Sequence, residues 1–288
     1  PPRSAAHLGA EPYADFWQGR EYRRAVWLPA DGAFSRDAPE PPVLLRLRNQ
    51  GTVDQPRMQY WVEAGWGPAA VAALGQVAAH VISAPVRVGE FYTATGKDPA
   101  LRQLAERFHG LKVIRAPSLY ECLISTVLEQ QLNYYFANTV KRRLLAEWGE
   151  AIAFEGRTYW AYPRPERLAA AQPGQLRPLQ ISARKASYII GIARAAAAGE
   201  LEPDGGGAAL RERLRQLRGV GRWTAEYAAL RGLGDNDALP ADDVGLQKSV
   251  GQIYGLRGYA TAVGIERRWR RHAPWRGYAT YYCWFTQW

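Results

Sequence analysis

The stretch "LRGVGRWTAEYAALRGLGDNDALPADDVGLQKS", residues 217–249, decides the reading of this chain. One helical pattern ends at Leu217, and Gly219-Val220-Gly221 then permits a sharp turn, because glycine tolerates positive φ and close backbone approach. A second helix is expected from about Arg222, with Ala225, Ala228 and Ala229 as a slim face. A Gly/Asp/Pro loop leads to Asp242 and Asp243, ahead of a third helical pattern marked by Leu246, Val250 and Ile253. A helix that starts at Arg222 presents unpaired backbone N–H groups and the positive end of its dipole, a seat for phosphate. Arg218 and Arg222 add charge. Either aspartate could be a simple helix N-cap, the commonest use of Asp in that position.

Charge points to the same kind of partner. The 288 residues hold 37 Lys+Arg against 27 Asp+Glu, a net charge of +10, which suggests an anionic partner, nucleic acid first and a membrane surface second. No apolar run reaches membrane-spanning length, and the opening "PPRSAAHLGAEPY" lacks the apolar centre of a secretory signal. The two cysteines, Cys122 and Cys283, exclude a disulfide framework and any four-thiolate iron–sulfur cluster held within the chain. No His/Cys/carboxylate spacing suggests zinc. A cytoplasmic protein, bacterial or archaeal and associated with the nucleoid, fits these features.

Periodicity divides the rest. Residues 1–112 read as an α+β domain: strands in "VLLRLR" and "RMQYWVEA", a helix in "GPAAVAALGQVAAHVI", and a second in "KDPALRQLAERFHG" with Asp98 as N-cap. Residues 113–288 read as an all-α domain. Its first helix opens on a capping box, Ser118 with Glu121, and carries the stripe Tyr120, Leu123, Ile124, Val127 and Leu128. The next carries Ala137, Val140, Leu144 and Trp148.

The run from Leu217 to Asp243 resembles the helix-hairpin-helix superfamily of DNA base-excision glycosylases, whose mark is such a hairpin, a helix, a Gly/Pro-rich loop and an aspartate. "GVGRWTAEYAALRG" and the C-terminal "PWRGYATYYCWFTQW" are similar to the alkylation-repair branch, the 3-methyladenine DNA glycosylase II type. The resemblance implies an α+β N-terminal domain followed by an all-α helix-hairpin-helix glycosylase domain. It implies a monomer acting on double-stranded DNA with damaged bases, excising N3- or N7-methylated purines by base flipping, with no membrane contact.

By the same resemblance Asp243 is the catalytic carboxylate, stabilising the positive charge that develops on the deoxyribose, while Asp242 caps the helix or faces solvent. Bifunctional relatives carry a lysine where this chain has Trp223, so a monofunctional hydrolytic enzyme is implied. Trp223 and Trp284 are expected in the base pocket, with Tyr134 and Tyr135 as further lining. Gln131 is the expected plug for the vacated base stack and Gln130 its support. Gly219, Val220, Gly221, Arg222 and Thr224 are the expected DNA grip. Backbone carbonyls of Arg215, Leu217 and Val220 are the ligands for a structural Na+ or K+ at the hairpin. Two other readings remain open: a non-catalytic DNA-binding helix-hairpin-helix protein, and an oxidised-purine glycosylase with lyase activity.

Overall fold

The computed structural model describes residues 15–18, 21–28, 41–61, 67–202 and 206–287. The N-terminal stretch considered for a secretory signal lies outside them. Four antiparallel strands open the chain in the order β1 (Asp15–Gln18), β2 (Glu21–Val26), β3 (Val43–Asn49) and β4 (Met58–Trp61). Helices α1 (Pro68–Val81), α2 (Val88–Thr95), α3 (Pro99–Arg107), α4 (Leu119–Glu129) and α5 (Tyr134–Trp148) follow. A hairpin of β5 (Glu150–Phe154) and β6 (Arg157–Ala161) comes next, then α6 (Pro165–Ala169), α7 (Pro173–Leu176) and α8 (Ala183–Ala197). The last helices are α9 (Gly206–Gln216), α10 (Arg222–Ala228), α11 (Val244–Ile253), α12 (Ala262–Trp269) and α13 (Arg276–Trp284).

A small N-terminal sheet followed by a helical domain is therefore the architecture. One element departs from an all-α reading of 113–288, the β5–β6 hairpin. Its two-residue turn, Glu155 (φ 48°) and Gly156 (φ 70°), has positive φ at both positions, the conformation that matches the twist of paired strands. By packing, the chain forms two compact units, residues 1–79 with 127–200, and residues 80–126 with 201–288. Each draws on both regions that periodicity separates at residue 112.

In the first unit the hairpin packs on β2. Ala25, Trp27, Leu44, Tyr159 and Ala161 form a small buried core, and the Trp27 indole donates to the carbonyl of Tyr162 at 2.7 Å. Glu21 is buried among cations: Arg23 and Arg46 donate to its Oε1 at 2.7 Å, and Arg48 to Oε2 at 2.9 Å. Burial pushes this carboxyl up, but the hydrogen bonds and charges of Arg46 and Arg23 outweigh it and hold it at about 2. Arg23 also donates to the Tyr159 hydroxyl at 3.1 Å, tying sheet to hairpin.

In the second unit the core gathers Phe91, Leu101, Trp269, Tyr278 and Tyr282. Residues Gly277 to Cys283 of α13 are buried without a break, as expected of a helix packed on all sides. Asp98 caps α3 as its position predicts, with Oδ1 accepting from the Leu101 N–H at 3.3 Å. Its other oxygen accepts from the Tyr254 hydroxyl at 2.8 Å and from Arg271 at 3.0 Å, which sequence does not show. The stripe Tyr120, Leu123, Ile124, Val127 and Leu128 on α4 is buried throughout. Ser118 caps that helix, accepting from the Glu121 N–H at 3.2 Å.

Replacing Glu21 by Gln should destabilise the protein by about 3 kcal/mol at neutral pH, since buried cations lose their counter-charge. A carboxyl lowered on folding contributes stability above its unfolded value, near 4.3, and loses it as pH falls toward the folded one. The gap between wild type and Glu21→Gln in urea melts should therefore be widest above pH 5 and close as pH approaches 2.

Candidate active site

The hairpin forms in the second unit as the glycine spacing predicts. Helix α9 stops at Gln216, the Val220 N–H donates to the Leu217 carbonyl at 3.0 Å, and Gly219 takes φ 88°. Gly221 is the N-cap of α10, yet its φ of −82° and ψ of −179° suit any residue. A Cβ built there meets nothing within 4 Å. The protein's own packing therefore does not require glycine at 221.

Two members of the expected grip behave differently from expectation. Arg222 is not a free cation: it pairs with Glu266, and its Nε lies 3.5 Å from Asp242 Oδ2. Thr224 is only 2 % exposed. The slim alanine face draws α10 into the core and buries the threonine side chain with it, so any grip through Thr224 uses its backbone. Arg218 is exposed and has no ion pair among the described residues.

Of the two roles expected for Asp242, helix cap or solvent-facing residue, the structure shows the second, and the cap falls to Asp243. Asp242 is exposed and pairs with Arg222. Asp243 is the N-cap of α11: its Oδ1 accepts from the Leu246 N–H at 2.6 Å. The same carboxylate receives both expected pocket tryptophans. Trp223 Nε1 donates to Oδ2 at 2.8 Å and Trp284 Nε1 to Oδ1 at 3.0 Å. Capping and convergence on the tryptophans thus fall on one residue.

The loop before Asp243 is pinned at several points. Arg276 Nε donates to Asp237 at 2.8 Å, and Glu226 Oε2 accepts from the Leu239 N–H at 2.9 Å. Gln247 Nε2 donates to the Ala241 carbonyl at 3.0 Å, and the Gly277 N–H to the Asn236 carbonyl at 2.7 Å. Burial raises the Glu226 carboxyl above its ordinary value, and Arg211 beside it, with Nε 3.4 Å from Oε1, offsets only part of that rise.

Sequence reasoning missed Tyr227. Its ring stands 5.4 Å from that of Trp223 and 5.6 Å from that of Trp284, bridging the two tryptophans. The signal was present: four residues after Trp223, Tyr227 shares its helix face. Arg231 lies over both Tyr227 and Tyr281, 5.8 and 5.5 Å from the ring centres.

Arg215 lies in the last turn of α9 and Leu217 just beyond it, in the second unit, whereas the expected wedge and lining residues belong to the first. Gln131 is exposed in the α4–α5 turn and adopts φ 57°, the left-handed region. Gln130 is half-buried, and Lys185 Nζ donates to its carbonyl at 2.6 Å and to that of Leu128 at 2.9 Å. Tyr134 and Tyr135, 58 % and 83 % exposed, begin α5 behind the Asn133 cap. Glu129, the acidic residue in this segment, is bound by Lys141.

A family model described as "HhH-GPD superfamily base excision DNA repair protein" matches residues 124–274, more than half of the chain and the whole run from hairpin to aspartate. The chain belongs to this superfamily. Among HhH-GPD relatives, the DNA-3-methyladenine glycosylase of Bacillus subtilis (strain 168) is 36% identical over 209 residues, which cover 67% of this chain and 65% of the relative. The chain thus spans a little under two thirds of that relative's length. The 3-methyladenine DNA glycosylase structure from Archaeoglobus fulgidus shares the fold, with TM-score 0.79 at 24% identity over 95% of this chain and 89% of that one. The Schizosaccharomyces pombe 3-methyladenine DNA glycosylase, solved in complex with abasic DNA, gives TM-score 0.57 at 25% identity over 74% of this chain and 96% of that one. Among the described residues no helix is long and apolar enough to cross a membrane.

The double duty of Asp243 bears on stability as well as chemistry. Asp243→Ala removes the cap of α11 and should lower stability by about 1 kcal/mol or more, within the range for lost N-caps. Asp243→Asn keeps an oxygen for the Leu246 N–H and so retains the cap, but it turns an amide donor toward Trp223 Nε1 and should lose about 1–3 kcal/mol through that unmade bond alone. Thermal unfolding of the two variants checks this.

Proposed function

We propose that this protein is a monofunctional DNA glycosylase that flips N3- or N7-methylated purines out of double-stranded DNA and hydrolyses their N-glycosidic bonds. The observation that carries the reading is the convergence of Trp223 and Trp284 on Asp243. A carboxylate offers about four acceptor positions. Three are taken by the Leu246, Trp284 and Trp223 N–H groups, which leaves one on Oδ2. That oxygen can face a sugar whose anomeric carbon turns positive as the base departs, or align the attacking water. Fixed donors hold the carboxylate in place before the reaction, so no reorganisation is needed when charge develops.

The aromatic group suits the substrate. Alkylation at a purine ring nitrogen makes the base cationic, and a cation over a tryptophan or tyrosine face gains about 0.5–2 kcal/mol. The charged base is also a good leaving group, so one preorganised carboxylate suffices. With Trp223 where bifunctional relatives carry lysine, that position has no amine for a Schiff base, and water is the nucleophile.

The DNA contacts draw on several segments of the chain. Backbone N–H groups of Gly219, Val220, Gly221, Arg222 and Thr224 supply a sequence-blind phosphate grip. Gln131 plugs the gap left by the flipped base, a step that costs a few kcal/mol of stacking and pairing. Its exposure and left-handed backbone support that role. Gln130 supports the loop, and Tyr134 and Tyr135 offer exposed rings to the nucleic acid. A structural Na+ or K+ would be held by the carbonyls of Arg215, Leu217 and Val220. These fall in the last turn of α9 and the hairpin turn, where backbone oxygens collect, and the ion would stiffen the grip. The protein acts as a monomer.

Asp243→Asn should bind DNA as wild type does while single-turnover base release from methylated duplex falls by about 10²–10³ or more, the loss expected for one preorganised electrostatic group. Unchanged base release would remove Asp243 from the chemistry, and no release by the wild type would return the protein to the class of non-catalytic DNA binders. Borohydride added during turnover should trap no covalent protein–DNA adduct. A trapped adduct would instead favour the lyase-type, oxidised-purine reading.

A further inference from the structure

At the far end of α11 from Asp243 lies an open groove of ≈ 860 Å³. Five arginines line it, Arg257, Arg267, Arg268, Arg270 and Arg271, all exposed, and no carboxylate does. Arg268 rests over the Tyr254 ring, 4.3 Å from its centre, and Arg271 reaches Asp98. Arg257, Arg267 and Arg270 have no ion pair among the described residues. Three other arginines of this unit are neutralised, Arg211 by Glu226 and Asp235, Arg222 by Glu266 and Asp242, and Arg276 by Asp237, whereas the groove gathers several that are not. Like charges left together without counter-charges repel one another, so their assembly costs stability unless an anion offsets it.

The groove is built firmly. The loop from Gly255 to Ala260 folds back on α11, with the Leu256 N–H donating to the Gly251 carbonyl at 2.8 Å and the Ala260 N–H to that of Gln247 at 2.9 Å. A Cβ at Gly251 would stand 2.2 Å from the Gly258 carbonyl oxygen, so only glycine lets the loop approach this closely. Tyr259, 59 % exposed, and Leu256, 41 % exposed, give the wall an apolar face that a sugar can cover.

We propose that this groove binds the phosphodiester backbone of duplex DNA away from the damaged base, as a second electrostatic contact distinct from the hairpin. The proposal rests on the DNA-binding reading above. Guanidinium groups present forks that match phosphate oxygens, and the array offers several at once. Helix α11 has 10 residues, a length of ~15 Å, so the groove stands that far from the capping carboxylate at the other end. At 3.4 Å per nucleotide along one strand, this corresponds to about four or five nucleotides. The contact reads no sequence. It lengthens the footprint, steepens the salt dependence, and keeps the enzyme on undamaged DNA between encounters with lesions.

The test uses the full chain and a duplex with a tetrahydrofuran abasic analogue at its centre. Each phosphate within one turn on either side is replaced in turn by a neutral methylphosphonate, and affinity is measured by anisotropy. Wild type should lose affinity several-fold at a cluster near the fourth to sixth phosphate from the analogue. Arg257→Gln/Arg267→Gln/Arg270→Gln should not respond at that cluster. The variant's slope of log K against log salt should be shallower by about 2–3, one contact per lost cation. Its base release from methylated duplex at saturating enzyme should match wild type. An unchanged salt slope with an unchanged phosphate map overturns the proposal. So does a loss confined to phosphates flanking the analogue, which would make the groove part of the lesion contact. If wild type releases no base but shows the distal cluster, the glycosylase reading fails and the groove stands.

Discussion

A negative charge has to stay still in a protein that is otherwise positive, and the second compact unit is organised around that requirement. Asp243 is held by N–H groups from three helices: Trp223 on α10, Leu246 on α11 and Trp284 on α13. The Leu246 donor is fixed by the helix backbone, and the two indoles are braced by the Tyr227 ring between them. The loop delivering the aspartate is tied to α10 by Glu226, to α11 by Gln247 and to α13 by Arg276. A carboxylate steadied this way resists rotation, which a solvated one would undergo freely, and geometric tolerance at such sites is about half an ångström.

The first unit shows the opposite arrangement. There Glu21 is enclosed by cations and serves to keep arginines together under a hairpin, not to face a partner. Both carboxylates are surrounded by donors, but Glu21 spends its acceptors on charged groups and Asp243 on neutral N–H groups. A neutral clamp leaves the anion's charge uncompensated, and an uncompensated charge is what a developing cation can feel.

Local signals were legible and long-range ones were not. Asp98 and Ser118 announce their helices because capping is decided within four residues. The stripe of α4 is legible for the same reason. Trp223, Asp243 and Trp284 were found only through resemblance, since nothing in local spacing brings residues 223, 243 and 284 together. The β5–β6 hairpin escaped because Glu-Gly is a weaker turn signal than Asn-Gly, and its strands acquire partners only by packing on β2. Which of the two adjacent aspartates caps α11 stays open in the sequence, because they look alike until the helix start is known. Arg222 looked free because Glu266 lies far along the chain.

Gln131 shows what the fold gives up for its exposed turn. A non-glycine residue at φ 57° carries steric strain that glycine would release at once. Selection for thermal stability alone would drift toward glycine there, or toward asparagine, which tolerates the left-handed region better. Either change removes or shortens the side chain that stands out from the surface. Under the plug role proposed for Gln131, position 131 is a place where stabilising substitutions and retained activity should pull in opposite directions. Any programme that thermostabilises this protein by consensus or by computed energy would do well to hold that residue fixed.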